Sequence, residues 1–300
     1  MRLVTIRTPD GTRAGRLDHD RVTELPYPDV GALLAAGSDG DWSAAEAYGA
    51  EHALADVDLA PVVPRPSKIF CLGLNYAAHI LETGRELPSH PTLFAKFPPA
   101  LIGARDDIWL SDAAERPDWE VELAFVVGRR VRHADLDEAR DAIAGYTICN
   151  DISMRDWQRR TLQWLAGKTW EHSTPLGPAL VTPDEVDHAA DLLVRCEVDG
   201  EVVQEARTSD LVFKPAETLA YISTIITLEP GDVVSTGTPG GVGDARQPPV
   251  YLRPGQVVRT TIEGLGECVN ECVREGASRS GYAEQRPGPE RPGAQAPRAG

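Results

Sequence analysis

Three acidic residues have types and spacing that could do chemistry. Glu120 and Glu122 flank Val121 in the run Trp119-Glu120-Val121-Glu122-Leu123-Ala124-Phe125-Val126-Val127-Gly128. Side chains alternate faces along a strand, so the two acids share one face and Val121, Leu123 and Phe125 share the other. Neighbouring carboxylates repel unless something positive lies between them. A lone Glu-x-Glu is most often a solvated strand face, yet this one opens a strongly apolar stretch of the kind a buried strand has. Asp151 closes a second apolar stretch, Gly145-Tyr146-Thr147-Ile148-Cys149-Asn150-Asp151. Arg155, Asp156, Trp157 and Gln158 follow on a predicted helix, for which Asp151 reads equally well as the N-cap. Three carboxylates with no His or Cys beside them suit a hard, oxygen-seeking cation such as Mg2+, Mn2+ or Ca2+. Three protein ligands would leave positions open for water or substrate.

Three further segments carry reactive groups. In Leu74-Asn75-Tyr76-Ala77-Ala78-His79-Ile80-Leu81-Glu82-Thr83-Gly84, Asn75 can start a short helix and Gly84 can end it. His79 and Glu82 then meet on one helix face. A carboxylate that fixes the imidazole tautomer makes a water-activating dyad, although a surface His-Glu pair is the commoner outcome. Lys168 sits in Gly167-Lys168-Thr169-Trp170, ahead of Pro175-Leu176-Gly177-Pro178. It could be a buried cation for a carboxylate or enolate, though most single lysines are simply solvated. Ser235-Thr236-Gly237-Thr238-Pro239-Gly240-Gly241-Val242-Gly243 is a glycine-rich loop whose backbone amides can approach a ligand closely. It lacks the Lys-Ser/Thr of a nucleotide P-loop and the G-x-G-x-x-G spacing, and a tight structural turn is its ordinary alternative.

The elements that must position these residues are mostly strands. Hydrophobic patterning predicts strands over 68–73, 120–128, 144–149, 192–199, 232–236 and 257–263, and helices over 76–83, 135–143, 153–164 and 215–226. Short strands fill 1–26, and Ala-rich helices are expected over 29–36 and 42–54. Asp199-Gly200 and Pro230-Gly231-Asp232 suggest hairpin turns. Strands and helices do not alternate regularly, which disfavours a doubly wound parallel sheet. Pro61, Pro64 and Pro66 mark a boundary. The expected organisation is a small N-terminal domain over 1–62, a catalytic domain over 63–275, and a disordered Gly/Pro-rich tail over 276–300. Prolines and glycines over 83–100 suggest a loop that orders on binding, in which Arg85 or His90 could meet a distal carboxylate.

Composition narrows the function classes. The 300 residues are 42% hydrophobic and 25% charged, as in an ordinary globular protein. A formal net charge of −16 argues against binding a phosphate backbone, so no nucleic-acid partner is expected. The 5 cysteines are an odd number in a long chain and fit a reducing cytoplasm better than a disulfide framework. No apolar run nears the roughly 20 residues that span a bilayer, and the N-terminus has no apolar leader, so no membrane association is expected.

Together the five segments resemble the fumarylacetoacetate hydrolase superfamily, from about Ser67 to Val273. The markers occur in family order: Gly-Leu-Asn-Tyr-x-x-His-x-x-Glu, Glu-x-Glu-Leu, Asn-Asp-x-x-x-Arg-Asp-x-Gln, Gly-Lys-Thr with Pro-Leu-Gly-Pro, and Thr-Gly-Thr-Pro-x-Gly-Val-Gly. Each is modest alone; the ordered set is specific. The resemblance implies an α+β, mainly β fold: a mixed β-sandwich roll with a small N-terminal α+β appendage, as in the short bacterial-type members. It implies Mg2+ or Mn2+, with Ca2+ admissible, held by Glu120, Glu122 and Asp151. It makes His79, Glu82 and Lys168 the catalytic residues, and Arg155, Gln158 and Thr238 the substrate contacts. Larger relatives place an aspartate as a fourth ligand near Asn75-Tyr76; with Asn75 here, three carboxylates and water are expected. The resemblance also implies a homodimer acting on a small-molecule 2-oxo acid.

The chemistry implied is divalent-metal-dependent hydrolysis of a C–C bond in an acylpyruvate-type acid such as fumarylpyruvate. Water attacks the distal carbonyl and the pyruvate enolate leaves, stabilised by charge at the site. His79 would take the water proton, Glu82 would orient the imidazole, and Lys168 and Arg155 would hold negative charge. The same enolate logic supports a decarboxylase, an isomerase or tautomerase, or a hydratase, in aromatic catabolism for example. A catalytically silent metal-binding scaffold is the remaining alternative.

Overall fold

A computed structural model of the chain describes residues 1–37, 49–82, 84 and 86–277. The expected tail from Ser278 onward, and the part of the 42–54 helix up to Tyr48, lie outside the described residues.

Strand Val121–Val127 is the centre of the architecture, and all seven of its residues are buried. Its β-branched and aromatic residues suit a pleated strand covered on both faces. Val121, Leu123, Phe125 and Val127 enter one apolar cluster, whereas Ala124 and Val126 enter a second on the opposite face. Burying a side chain such as Phe125 contributes roughly 1.5–3 kcal/mol. Glu122 shares its face with Ala124 and Val126, so a carboxyl group is carried into the second apolar layer.

Val121–Val127 pairs antiparallel with Ile143–Asn150 on one side and with Val233–Ser235 on the other. The mixed sheet then continues outward. Thr174–Val181 joins Ile143–Asn150, and Ile69–Gly73 runs parallel to Val233–Ser235. Thr92–Lys96 adds to Ile69–Gly73. At the far edge Arg2–Thr8 pairs with Thr174–Val181, so the N-terminal strands extend the same sheet. A five-stranded sheet of Glu201–Arg207, Leu193–Val198, Val257–Ile262, Gly266–Arg274 and Ile108–Leu110 completes the molecule. Its Val194, Cys196, Val258, Ile262, Cys268 and Cys272 pack into the first apolar cluster. The fold is α+β and mainly β, with mixed sheets.

All six patterned strands between Ile69 and Ile262 form close to their expected limits. Asp199-Gly200 makes the expected two-residue hairpin turn, both residues having positive φ, at 52° and 83°. Several expectations need correction. Glu51–Ala53 is a strand, not the end of a helix, because it adds to the edge strand Arg21–Glu24. Of the helix expected over 153–164 only Arg155–Gln158 forms, and a separate short helix, Leu165–Lys168, follows it. Pro230-Gly231-Asp232 forms a turn closed by Asp232 N on Glu229 O at 3.0 Å, and it joins no hairpin. The 83–100 loop contains the strand Thr92–Lys96, held by pairing along Ile69–Gly73.

Candidate active site

The three acids converge because two strands end together. Val121 faces Asn150 and Glu122 faces Cys149 across the ladder. Asp151 N donates to Glu120 O at 2.8 Å, and Glu120 N donates to Asn150 Oδ1 at 3.0 Å. Asn150 thus fixes the register that sets Glu120 beside Asp151. Ligand oxygens of Glu120, Glu122 and Asp151 lie within 4.8 Å of one another, and all three residues are buried.

Three cations surround this cluster. Lys168 Nζ bridges Glu120 Oε2 at 2.5 Å and Asp151 Oδ2 at 2.7 Å. Lys96 Nζ meets Asp151 Oδ1 at 2.6 Å. Arg155 reaches Glu120 Oε1 at 2.6 Å through Nη2 and Asp118 Oδ2 at 2.8 Å through Nε. Gln158 Oε1 accepts from Arg155 Nη1 at 2.9 Å. Gly167 allows the helix around Lys168 to approach this turn, because a Cβ there would sit 2.5 Å from Gln158 Cβ.

Glu122 is held differently. Its Oε2 accepts from Ser235 Oγ at 2.5 Å and from Gly237 N at 2.9 Å. Gly237 has φ +95°, a backbone state that favours glycine and that turns its amide toward the carboxylate. Oε1 of Glu122 receives no hydrogen bond from the described residues.

The charge states follow from this packing. Burial, reinforced by Asp151 and Glu120, pushes Glu122 well above the usual carboxylate range. Burial would also raise Asp151, but the Lys168 and Lys96 ammonium groups outweigh it and hold Asp151 low. Burial would lower Lys168, yet Asp151 and Glu120 overcome it and keep the ammonium protonated. Ionised together, Asp118, Glu120, Glu122 and Asp151 would outnumber Lys96, Arg155 and Lys168, so Glu122 holds a proton that a bound cation can displace. A carboxylate oxygen has lone pairs beyond the one given to a single ammonium. An all-oxygen donor set, a displaceable proton on Glu122 and the bare Glu122 Oε1 fit a hard divalent cation.

The cluster opens on a cleft of about 520 Å³. Its polar lining includes His79, Glu120, Glu122, Arg155, Gln158, Lys168 and Thr238, and Phe94 and Trp164 form apolar walls. Seven of the nine candidate residues line the cleft, and Asp151 does not. Asp151 lies directly behind Lys168. The side chain of Glu82 lies outside the described residues, as does Arg85. His79 is presented by helix Ala77–Glu82, whose Ala78 N is held by Asp210 Oδ2 at 3.0 Å. The Thr238 hydroxyl donates to Val121 O at 3.0 Å and accepts from Gln204 Nε2 at 2.8 Å, which ties the glycine-rich loop to the acidic strand. His90 stacks against Tyr221, with centroids 6.2 Å apart, and does not line the cleft. A larger groove of about 840 Å³ beside Arg7, Trp109 and His172 contains none of the candidate residues.

Sequence reasoning missed Lys96, Asp118, Ser235 and Gln204. The available signal for Lys96 was a lysine closing the short apolar run Leu93-Phe94-Ala95. Ser235 stood inside a motif already singled out, but nothing in its spacing pointed to Glu122.

The profile of the fumarylacetoacetate (FAA) hydrolase C-terminal family matches residues 68–273. The chain belongs to the fumarylacetoacetate hydrolase family. It is 44% identical over 216 residues to the mitochondrial oxaloacetate tautomerase Fahd2a of Rattus norvegicus, covering 72% of this chain and 69% of that protein. The corresponding Bos taurus tautomerase, FAHD2A, is 46% identical over 217 residues, with the same coverage. Among solved structures, the fumarylacetoacetate hydrolase of Exiguobacterium antarcticum superposes with a TM-score of 0.82 at 31% identity, covering 91% of this chain and 99% of that one. The 2-hydroxyhepta-2,4-diene-1,7-dioate isomerase of Mycobacterium marinum gives 0.75 at 34% identity, over 92% and 99%. As a member of this family the chain is an enzyme of a hydrolase, isomerase and tautomerase group, with a buried acidic triad suited to a divalent metal. Among the described residues no helix is long and apolar enough to cross a membrane.

Proposed function

We propose that this enzyme interconverts keto and enol forms of a small 2-oxo acid of the oxaloacetate type, using a divalent cation at Glu120, Glu122 and Asp151. The observation that carries the reading is the convergence of three buried carboxylates with the protonated Lys168 at the floor of one cleft. The tautomerase names of relatives at 44–46% identity support it. Mg2+ or Mn2+, when bound, supplies Lewis-acid stabilisation of an enolate.

The protein's own residues do the rest. Lys168 and Arg155 place fixed positive charge where the substrate's carboxylate and 2-oxo oxygen would lie, so charge developing on that oxygen is met without reorganisation. His79 lines the cleft, where its imidazole can take a proton from C3. The enol forms when the 2-oxo oxygen then gains a proton, from the Lys168 ammonium or from water, and ketonisation releases that proton as His79 returns the other to C3. Phe94 and Trp164 restrict water access to the reacting end.

C–C hydrolysis of an acylpyruvate such as fumarylpyruvate is the second reading. It is favoured by His79 facing the cleft, where it could activate water with Glu82 orienting it. In either case the catalytic unit is taken as residues 63–275, with 1–62 as an appendage, acting as a cytoplasmic homodimer. The test is a panel of oxaloacetate enol decay, pyruvate release from acetylpyruvate and fumarylpyruvate, and CO2 release from oxaloacetate, each with EDTA and after return of Mg2+ or Mn2+. Metal-dependent enol decay without pyruvate release supports the tautomerase. Pyruvate release from the acylpyruvates supports the hydrolase instead.

A further inference from the structure

Arg159 occupies a place on the cleft that neither reading uses. It follows Gln158 directly and its N–H donates to Arg155 O at 3.2 Å, so it lies one helical turn beyond Arg155. Both arginines line the same cleft. Arg155 is buried and committed to Asp118 and Glu120. The Arg159 side chain is 63% exposed, and its Nη2 pairs with Asp244 Oδ2.

Asp244 is built as an anchor. It is 8% exposed, and its Oδ1 accepts from Tyr251 Oη at 2.9 Å. Its backbone N donates to Asp118 Oδ2 at 3.0 Å, and Gly243 N donates to Asp118 Oδ1 at 2.7 Å. Asp118 is the carboxylate that holds Arg155. The two guanidinium groups are thus tied to one loop. An ion pair whose guanidinium is this exposed contributes only about 0–1 kcal/mol to stability. Asp244 engages one guanidinium nitrogen, and a guanidinium has five N–H donors, so Arg159 keeps donors for a planar anion.

We propose that Arg159 is a specificity-determining residue that receives the distal carboxylate of a dicarboxylic 2-oxo acid, with Asp244 as its positioning residue. The inference rests on the tautomerase reading for the reacting end. For the far end it depends only on the spacing of Arg159 from Arg155 and its place on the cleft. A monocarboxylic 2-oxo acid would meet Lys168 and Arg155 but make no use of Arg159.

The test pairs binding with turnover in the metal-loaded protein and in Arg159→Gln. Binding of oxaloacetate and of pyruvate is followed by tryptophan fluorescence, since Trp164 lines the cleft. Oxaloacetate enol decay is measured alongside. A charge-assisted hydrogen-bond pair is worth roughly tenfold to hundredfold in affinity. Wild type should therefore prefer oxaloacetate over pyruvate, and Arg159→Gln should lose about that factor for oxaloacetate only, in KM rather than kcat. An unchanged preference, or an equal loss for both ligands, overturns the proposal. If the binding preference depends on Arg159 but no enol decay occurs, the specificity role stands and the tautomerase reading falls.

Discussion

Lys96 Nζ lies 2.6 Å from Asp151 Oδ1, and both side chains are wholly shielded from solvent. The lysine comes from the strand next to Ile69–Gly73, and the aspartate from the end of Ile143–Asn150, with two further strands between. Removing one member of a buried pair leaves the other charge uncompensated and typically costs about 3–5 kcal/mol. Lys168 also contacts Asp151, so Lys96→Met should fall near the low end, about 3 kcal/mol. Chemical denaturation measures that loss. Weaker Mn2+ binding by electron paramagnetic resonance would show that Lys96 also aligns Asp151 as a ligand.

Glu122 predicts a pH dependence with a definite sign. Its folded-state pKa is raised, by burial first and then by Asp151 and Glu120, from an ordinary value of 4.5. Between the ordinary and raised values the folded metal-free protein holds a proton that the unfolded chain has released. Its stability should therefore fall as pH rises from 4.5 through the raised value. A divalent cation competes with the same proton, so metal affinity should increase over that window. Glu122→Gln should flatten both trends and abolish tight metal binding. Urea midpoints and Mn2+ titrations from about pH 5 to about pH 8 read the two effects.

The cysteines should be inert in the native protein. All five are buried and unpaired. Burial pushes Cys268 and Cys272 up to about 12, with Cys71, Cys149 and Cys196 also raised by burial. A thiol must ionise to react with a disulfide reagent. The folded protein should give almost no colour with such a reagent, and the urea-unfolded chain should titrate all five. Prompt reaction of the folded protein would contradict the packing around strand Val121–Val127.

Gly237 links backbone conformation to the site. At φ +95° a Cβ would be strained, and it would also lie 3.1 Å from Leu72 O and 3.2 Å from Asn75 Cβ. Gly237→Ala should cost roughly 1–3 kcal/mol and pull the amide away from Glu122 Oε2. The expected signature is weaker metal affinity than stability loss alone produces, measured on the folded fraction by calorimetric titration.

The site was legible in the sequence where chemistry is written locally. Glu120 and Glu122 share a face because a strand has period two, and the buried run after them shows the strand. The meeting of Asp151 with Glu120 depends on the register Val121–Asn150, a long-range pairing that no local pattern encodes. Lys96 was hidden for the same reason. Its strand, Thr92–Lys96, lies among prolines that read as a loop and is stabilised by its neighbour rather than by its own propensity. Thr174–Val181, central to the sheet, was missed because Pro175, Gly177 and Pro178 mask its strand pattern. The helix expected over 153–164 failed after Gln158 because Arg159 to Trp164 turn along the cleft instead of continuing the helix.

The central claim is that Glu120, Glu122 and Asp151 hold a divalent cation that serves enolisation of a 2-oxo acid. The most direct measurement is oxaloacetate enol decay, monitored with EDTA, after return of Mg2+ or Mn2+, and in Glu122→Gln. Activity lost to EDTA, restored by the metal and absent from a folded Glu122→Gln variant is the predicted result. Enol decay that persists undiminished in EDTA or in that variant would contradict it.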